Sequence, residues 1–152
     1  MCIRDRIPTA EDNFRQAITK TTSDTEKAFA YLSLGELYTR LKTQNARALE
    51  TYAEVYKLQA GATYLCRAAI ASAKLLATEG KRDLALAELD RLKGLTKQPH
   101  WTFAQIGYAE VFTILGSESE SKARYQAIID STNPPADQLK FAKERVSPSS
   151  KP

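Results

Sequence analysis

Residues 34–55 read LGELYTRLKTQNARALETYAEV. Two helical patterns meet here around a polar turn at residues 41–45. In the first, Leu34, Gly35 and Tyr38 set a residue without a side chain beside bulky ones on one face, since positions three and four apart lie together on a helix. In the second, Ala48, Tyr52 and Val55 give a small, an aromatic and an apolar residue at similar spacing. A helix thin at one point and thick a turn later suits close packing against another of complementary profile. The stretch therefore predicts two helices folded back on each other.

Working outward, both patterns recur. Ala48, Tyr52, Val55 is preceded by Ala10, Phe14, Ala17 and followed by Ala85, Leu89, Leu92 and by Ser121, Tyr125, Ile128, at separations of 38, 37 and 36 residues. Leu34, Gly35, Tyr38 is followed by Ser72, Ala73, Leu76 and by Tyr108, Ala109, Phe112, at separations of 38 and 36. Two series that stay in step mark an internal repeat. One pair alone cannot cover its apolar face, so neighbouring pairs must stack.

The intervening sequence favours helix. No proline occurs between residues 9 and 98, and Ala, Leu, Glu, Lys and Arg abound there. Sustained period-two alternation and hairpin dipeptides are missing. Seven or eight helices are predicted, over about 9–20, 24–41, 45–59, 62–79, 82–93, 99–115, 117–131 and 134–145. Ser23 with Glu26, and Ser117 with Glu120, have capping-box spacing. Gly80 and Gly94 are stop signals, and Pro99 suits a first helical turn.

Length and composition narrow the class. The chain has 152 residues, 43% hydrophobic and 26% charged, with a net charge of +4. That is ordinary for one soluble domain. No apolar run approaches the ~20 residues that span a bilayer. Two cysteines, Cys2 and Cys66, make neither a disulfide framework nor a zinc site. The opening MCIRDR has no secretory character and looks like a translated leader from assembled shotgun reads. On that reading residues 1–8 are a disordered or artefactual leader, the natural N-terminus is missing, and compartment, cytoplasmic or periplasmic, is unassigned. Residues 146–152, rich in Ser and Pro, are expected to be a disordered tail.

The residues quoted resemble the tetratricopeptide repeat over about residues 10–145. Leu34-Gly35-x2-Tyr38 and Ala10-x3-Phe14-x2-Ala17 match that pattern closely, and Gly80-Lys81-x3-Ala85-x3-Leu89 matches its inter-helix turn and second helix. The departures are a period of 36–38 instead of about 34, Ser72 in place of the usual Leu, and Ser121 in place of Ala. The resemblance implies an all-α, right-handed α-solenoid of antiparallel helix pairs. Its parts would be a second-helix remnant at 9–21, repeats at about 24–59, 62–94 and 99–131, and a capping helix at 134–145. The divergent form is similar to bacterial members.

Other candidate sites read as structural. His100, the one histidine, has no second histidine with which to build a triad or a metal site. Trp101 reads as a packing residue and Cys66 as a small buried one. Ser119-x2-Lys122 has the spacing of a nucleophile motif but no companion elements. Gly80-Lys81-Arg82 lacks the preceding glycine of a phosphate loop. Basic residues alternate with acidic ones, unlike the one-sided face that nucleic acid requires. The chain is thus read as no enzyme, with no cofactor or metal, no nucleic-acid partner and no membrane segment.

Function follows from the resemblance. In that family the first helices line a concave groove that takes a peptide or helix of a partner protein. Here the stripe would hold Leu32, Glu36 and Thr39, then Ile70, Lys74 and Ala77, then Ile106, Glu110 and Thr113. An apolar row would run beside a Glu–Lys–Glu row, anchoring and registering an amphipathic segment. The competing reading of that row is ion pairing between neighbouring repeats. Two glutamates in it argue against a grip on chain-terminal carboxylates. The alternative to a scaffold is a structural or self-associating segment of a larger chain, which leaves the oligomeric state open.

Overall fold

The computed structural model describes residues 3–147. Eight helices occur among them: α1 (Ile3–Lys20), α2 (Asp24–Arg40), α3 (Asn45–Val55), α4 (Ala62–Thr78), α5 (Arg82–Asp90), α6 (His100–Ile114), α7 (Glu118–Ile129) and α8 (Ala136–Val146). No strand is present among the described residues. The expected tail lies outside the described residues from residue 148 onward, as do Met1 and Cys2.

Helix ends follow local chemistry. Gly80 and Gly116 stop α4 and α6 with φ of 74° and 73°, a left-handed geometry that glycine adopts without steric penalty. Ser23 caps α2, its Oγ accepting from the Glu26 amide at 3.4 Å. The return half of that capping box is not made, because the Glu26 carboxylate takes the Thr21 hydroxyl instead. The box expected at Ser117 is absent: its Oγ accepts from Arg82 Nη1 at 2.9 Å. Pro99 precedes α6 instead of entering it. α1 starts at Ile3 and carries Pro8 within it.

Helices pair as the small residues require. The thin positions Gly35, Ala73 and Ala109, and their counterparts Ala48, Ala85 and Ser121, are all buried. A Cβ built on Gly35 would lie 2.4 Å from the Tyr52 ring, so α2 and α3 meet as closely as a bare backbone allows. Tyr38 meets Arg47 while Gly35 meets Tyr52, an order that makes these helices antiparallel. Thr113 with Ser121, and Gln105 with Arg124, do the same for α6 and α7. By contrast Thr63–His100, Ile70–Gly107 and Lys74–Glu110 run in the same order, so α4 and α6 are parallel.

The core is segmented along the chain. One cluster joins α2, α3 and α4 around Leu32, Tyr38 and Tyr52. A second joins α4, α5 and α6 around Cys66, Leu89 and Val111. A third joins α6, α7 and α8 around Ala109, Tyr125 and Ile128. Each large apolar side chain so buried contributes about 1.5–3 kcal/mol. Among the described residues, every helix–helix packing contact joins helices one or two places apart in the chain.

The two serines that depart from the quoted pattern find polar partners. Ser72 is buried, and its hydroxyl faces that of Tyr56. Tyr56 in turn donates to Glu88 Oε2 at 2.6 Å and lies 4.3 Å beneath the Arg91 guanidinium. Burial, then the Glu88 carboxylate, push the Tyr56 phenol well above its ordinary range. Ser121 shares a 2.8 Å bond with Thr113 Oγ1. Both hydroxyls therefore sit in the interior without the cost of an unpaired polar group.

Candidate functional site

The exposed face shared by α2, α4 and α6 has a phase different from the expected one. Leu32 is only 2% exposed and belongs to the first cluster. Ile70 packs on α6, where a Cβ on Gly107 would come within 2.4 Å of its Cγ1. Ile106 is half-buried against the third cluster. Thr39 donates to Gly35 O and meets Tyr52 Oη at 3.2 Å, while Thr113 faces Ser121. Of the expected apolar row, Leu32 therefore lies in the core, Ile70 packs between α4 and α6, and Ile106 packs against the cluster of α6, α7 and α8. The two threonines tie each first helix to its second.

The charged row does reach the surface. Lys74 Nζ pairs with Glu110 Oε2 at 3.1 Å, from α4 to α6. Glu36 pairs instead with Arg67 at 3.5 Å, from α4 back to α2. These are the cross-repeat pairs that the competing reading of the row expected. Each contributes about 0–1 kcal/mol at such exposure.

What the face presents instead lies a few residues earlier in the same register. Phe29, Arg67 and Phe103 each stand five residues before Leu34, Ser72 and Tyr108. Phe29 is 55% and Phe103 38% exposed, and Ile114 near the other end of α6 is 41% exposed. Helical spacing puts Phe29 on one stripe with Ser33, Glu36 and Arg40. The equivalent stripes are Arg67, Ala71, Lys74, Thr78 on α4 and Phe103, Gly107, Glu110, Ile114 on α6. Of the four large apolar side chains most exposed in the described chain, three lie on this face and one, Leu84, on α5. The register that found the repeat was enough to find this row. The expectation failed by helical phase, having set Leu32 outward when its neighbour of three residues earlier is the one that points away.

A cleft of about 640 Å³ adjoins the face at the C-terminal ends of α2 and α4. Tyr52, Ala71, Leu75 and Ile114 form its apolar wall, and Lys42, Asn45, Lys74 and Glu79 its polar rim. Glu79 is held by Lys81 at 2.8 Å and by Asn45 at 2.7 Å, contacts that draw its carboxyl below the usual range. Burial raises the Tyr52 phenol. A second cleft, of about 490 Å³, is lined by Phe14, Ala17, Phe29 and Tyr64.

The remaining candidates have ordinary structural partners. His100 Nε2 is 3.0 Å from Thr63 Oγ1, and Trp101 packs against the third cluster. Ser119 Oγ donates to Glu120, while Lys122 pairs with Glu118, so Ser119 and Lys122 do not act on each other. Lys81 pairs with Glu79 and Arg82 with Glu120. Among the described residues no group of three or more His, Cys, Asp and Glu side chains could hold a metal ion. No helix there is long and apolar enough to cross a membrane. Compared with protein families, curated proteins and solved structures, the chain matches none.

Proposed function

We propose that this chain is a tetratricopeptide-like α-solenoid that acts as a non-catalytic scaffold, taking a peptide or helix of a partner protein across α2, α4 and α6. The observation that carries this is the exposed Phe29–Arg67–Phe103 row on successive first helices. Aromatic side chains and arginine on an exposed face are the residue types that dominate binding energy when a partner covers them. Contacts confined to helices one or two places apart support the solenoid reading. Of the site residues first expected, Glu36, Lys74 and Glu110 stay on this face.

The test is partner capture with native chain, with Phe29→Ser plus Phe103→Ser, and with Leu84→Ser. Leu84 is 56% exposed but lies on α5, so it controls for general stickiness. Loss of captured proteins with the double variant alone is expected. Equal capture by the native and double-variant chains refutes the reading.

A second reading, self-association, draws on the cleft lined by Phe14, Ala17, Phe29 and Tyr64 at the α1 end. A mass that rises with concentration, and falls back on Phe14→Ser, would favour it over the scaffold.

A further inference from the structure

The charges around the larger cleft are unevenly satisfied. Its carboxylate, Glu79, is already taken by Lys81 and Asn45. The two carboxylates of the neighbouring stripe, Glu36 and Glu110, are taken by Arg67 and Lys74. Arg40, in the last turn of α2, and Lys42, in the turn after it, have no side-chain partner among the described residues. A lysine brought by a partner would find every carboxylate engaged. An aspartate or glutamate would find the free Lys42 on the rim of an apolar wall that ends in the half-exposed Ile114, with the free Arg40 two residues before it in the chain.

Resting on the scaffold reading above, we propose that this cleft takes an acidic segment of a partner protein, anchored by an apolar side chain against Leu75 and Ile114 and by carboxylates at Lys42 and Arg40. Complementary charge of this kind sets partner choice and association rate, and salt weakens it.

Two fluorescein-labelled, C-terminally amidated amphipathic peptides test this. They share the same leucines, and every polar position is Glu in one and Lys in the other. Anisotropy titration with the whole chain at low salt is expected to show the Glu peptide binding at least about tenfold tighter, with affinity falling as salt rises. Arg40→Glu plus Lys42→Glu should abolish that preference, and Ile114→Ser should weaken the Glu peptide. Lys42→Gly is the control for folding. Lys42 holds a left-handed φ of 52°, where glycine is unstrained, so this variant should melt no lower than native while losing affinity. Equal or tighter binding of the Lys peptide, unchanged affinity in the charge-reversed variant, or no binding of either peptide overturns the proposal. The capture experiment with Phe29 and Phe103 makes no use of Arg40 or Lys42, so it judges the scaffold reading separately.

Discussion

Gly35→Ala is the most direct probe of how closely the helices approach. In an open helix this change gains about 1 kcal/mol, because alanine is the better helix former. Here the added methyl would stand 2.4 Å from Tyr52 Cε1 and 2.8 Å from Cδ1 and Cζ. Tyr52 is buried in the first cluster, so its ring has nowhere to retreat. Overpacking of that kind costs about 1–3 kcal/mol. Shifting the ring also loosens the 3.2 Å bond between Tyr52 and Thr39, worth about 1 kcal/mol. The net expectation is a loss of about 1–3 kcal/mol. For a chain of this size that lowers the thermal midpoint by about 2–12 °C.

Far-UV circular dichroism on heating, with urea unfolding beside it, reads the change. Gly94→Ala is the reference, since nothing lies within 4 Å of a Cβ there, and it should be neutral or stabilise by about 0.4–1 kcal/mol. The second pair already holds Ala73 and Leu89 at the places of Gly35 and Tyr52. Gly35→Ala with Tyr52→Leu should accordingly be milder than the sum of its parts, with a coupling of about 1 kcal/mol. If Gly35→Ala raises the midpoint by what helix propensity alone provides, the close approach of α2 and α3 is refuted, and the pairing argument with it.

Glu11 accepts from Tyr38 Oη and Arg47 Nη2, each at 2.8 Å, and from Arg15; the Tyr38 hydroxyl is the main reason its carboxyl titrates below the usual range. Its contribution is present above the ordinary glutamate value of ~4.3 and lost as pH falls through the lowered native one, so Glu11→Gln should melt lower than native at neutral pH and converge on it in acid; a gap that holds or widens in acid refutes this. Burial pushes the Cys66 thiol up to about 11, so in a Cys2→Ser background thiol reagents should modify the chain at neutral pH no faster than it opens, as read by labelling against urea, and rapid labelling of folded protein would contradict its placement.

The helices and their pairing were legible because glycine and thin–thick spacing are local signals. Gly80 and Gly116 end helices by backbone geometry, which needs no tertiary information. Tyr52, Leu89 and Tyr125 could be set in register because each recurs with the same small neighbour, and all three are buried. The early ends of α3 at Val55 and α5 at Asp90 were not legible, since residues 56–59 and 91–93 carry good helix formers and no stop. Ser117 failed as a capping box for a different reason. Arg82, 35 residues away, competes for its hydroxyl, and a local pattern holds no record of a distant donor.

The outward phase of the first helices was not legible in the sequence, and the reason is also the link between fold and face. A first helix in this chain has two apolar duties, one toward its own second helix and one toward the next first helix. Gly35, Ala73 and Ala109 announce the first duty. The second is announced by Leu32 and Ile70 on one side and by Ala71 and Gly107 on the other, a bulky residue of one helix set against a thin one of the next. The Ile70–Gly107 approach shows this directly, and Ala71 packs against the cluster that holds Leu32. Once Leu32 and Ile70 are committed to stacking, the stripe one step round must turn outward, and it carries Phe29, Arg67 and Phe103. The same thin residues that let first helices stack, Ala71 and Gly107, also lie between the outward rows. Filling Gly107 would therefore displace Ile70 and shift Phe103 and Glu110 relative to Arg67 and Lys74. Stacking and the presented face cannot be altered independently at that point.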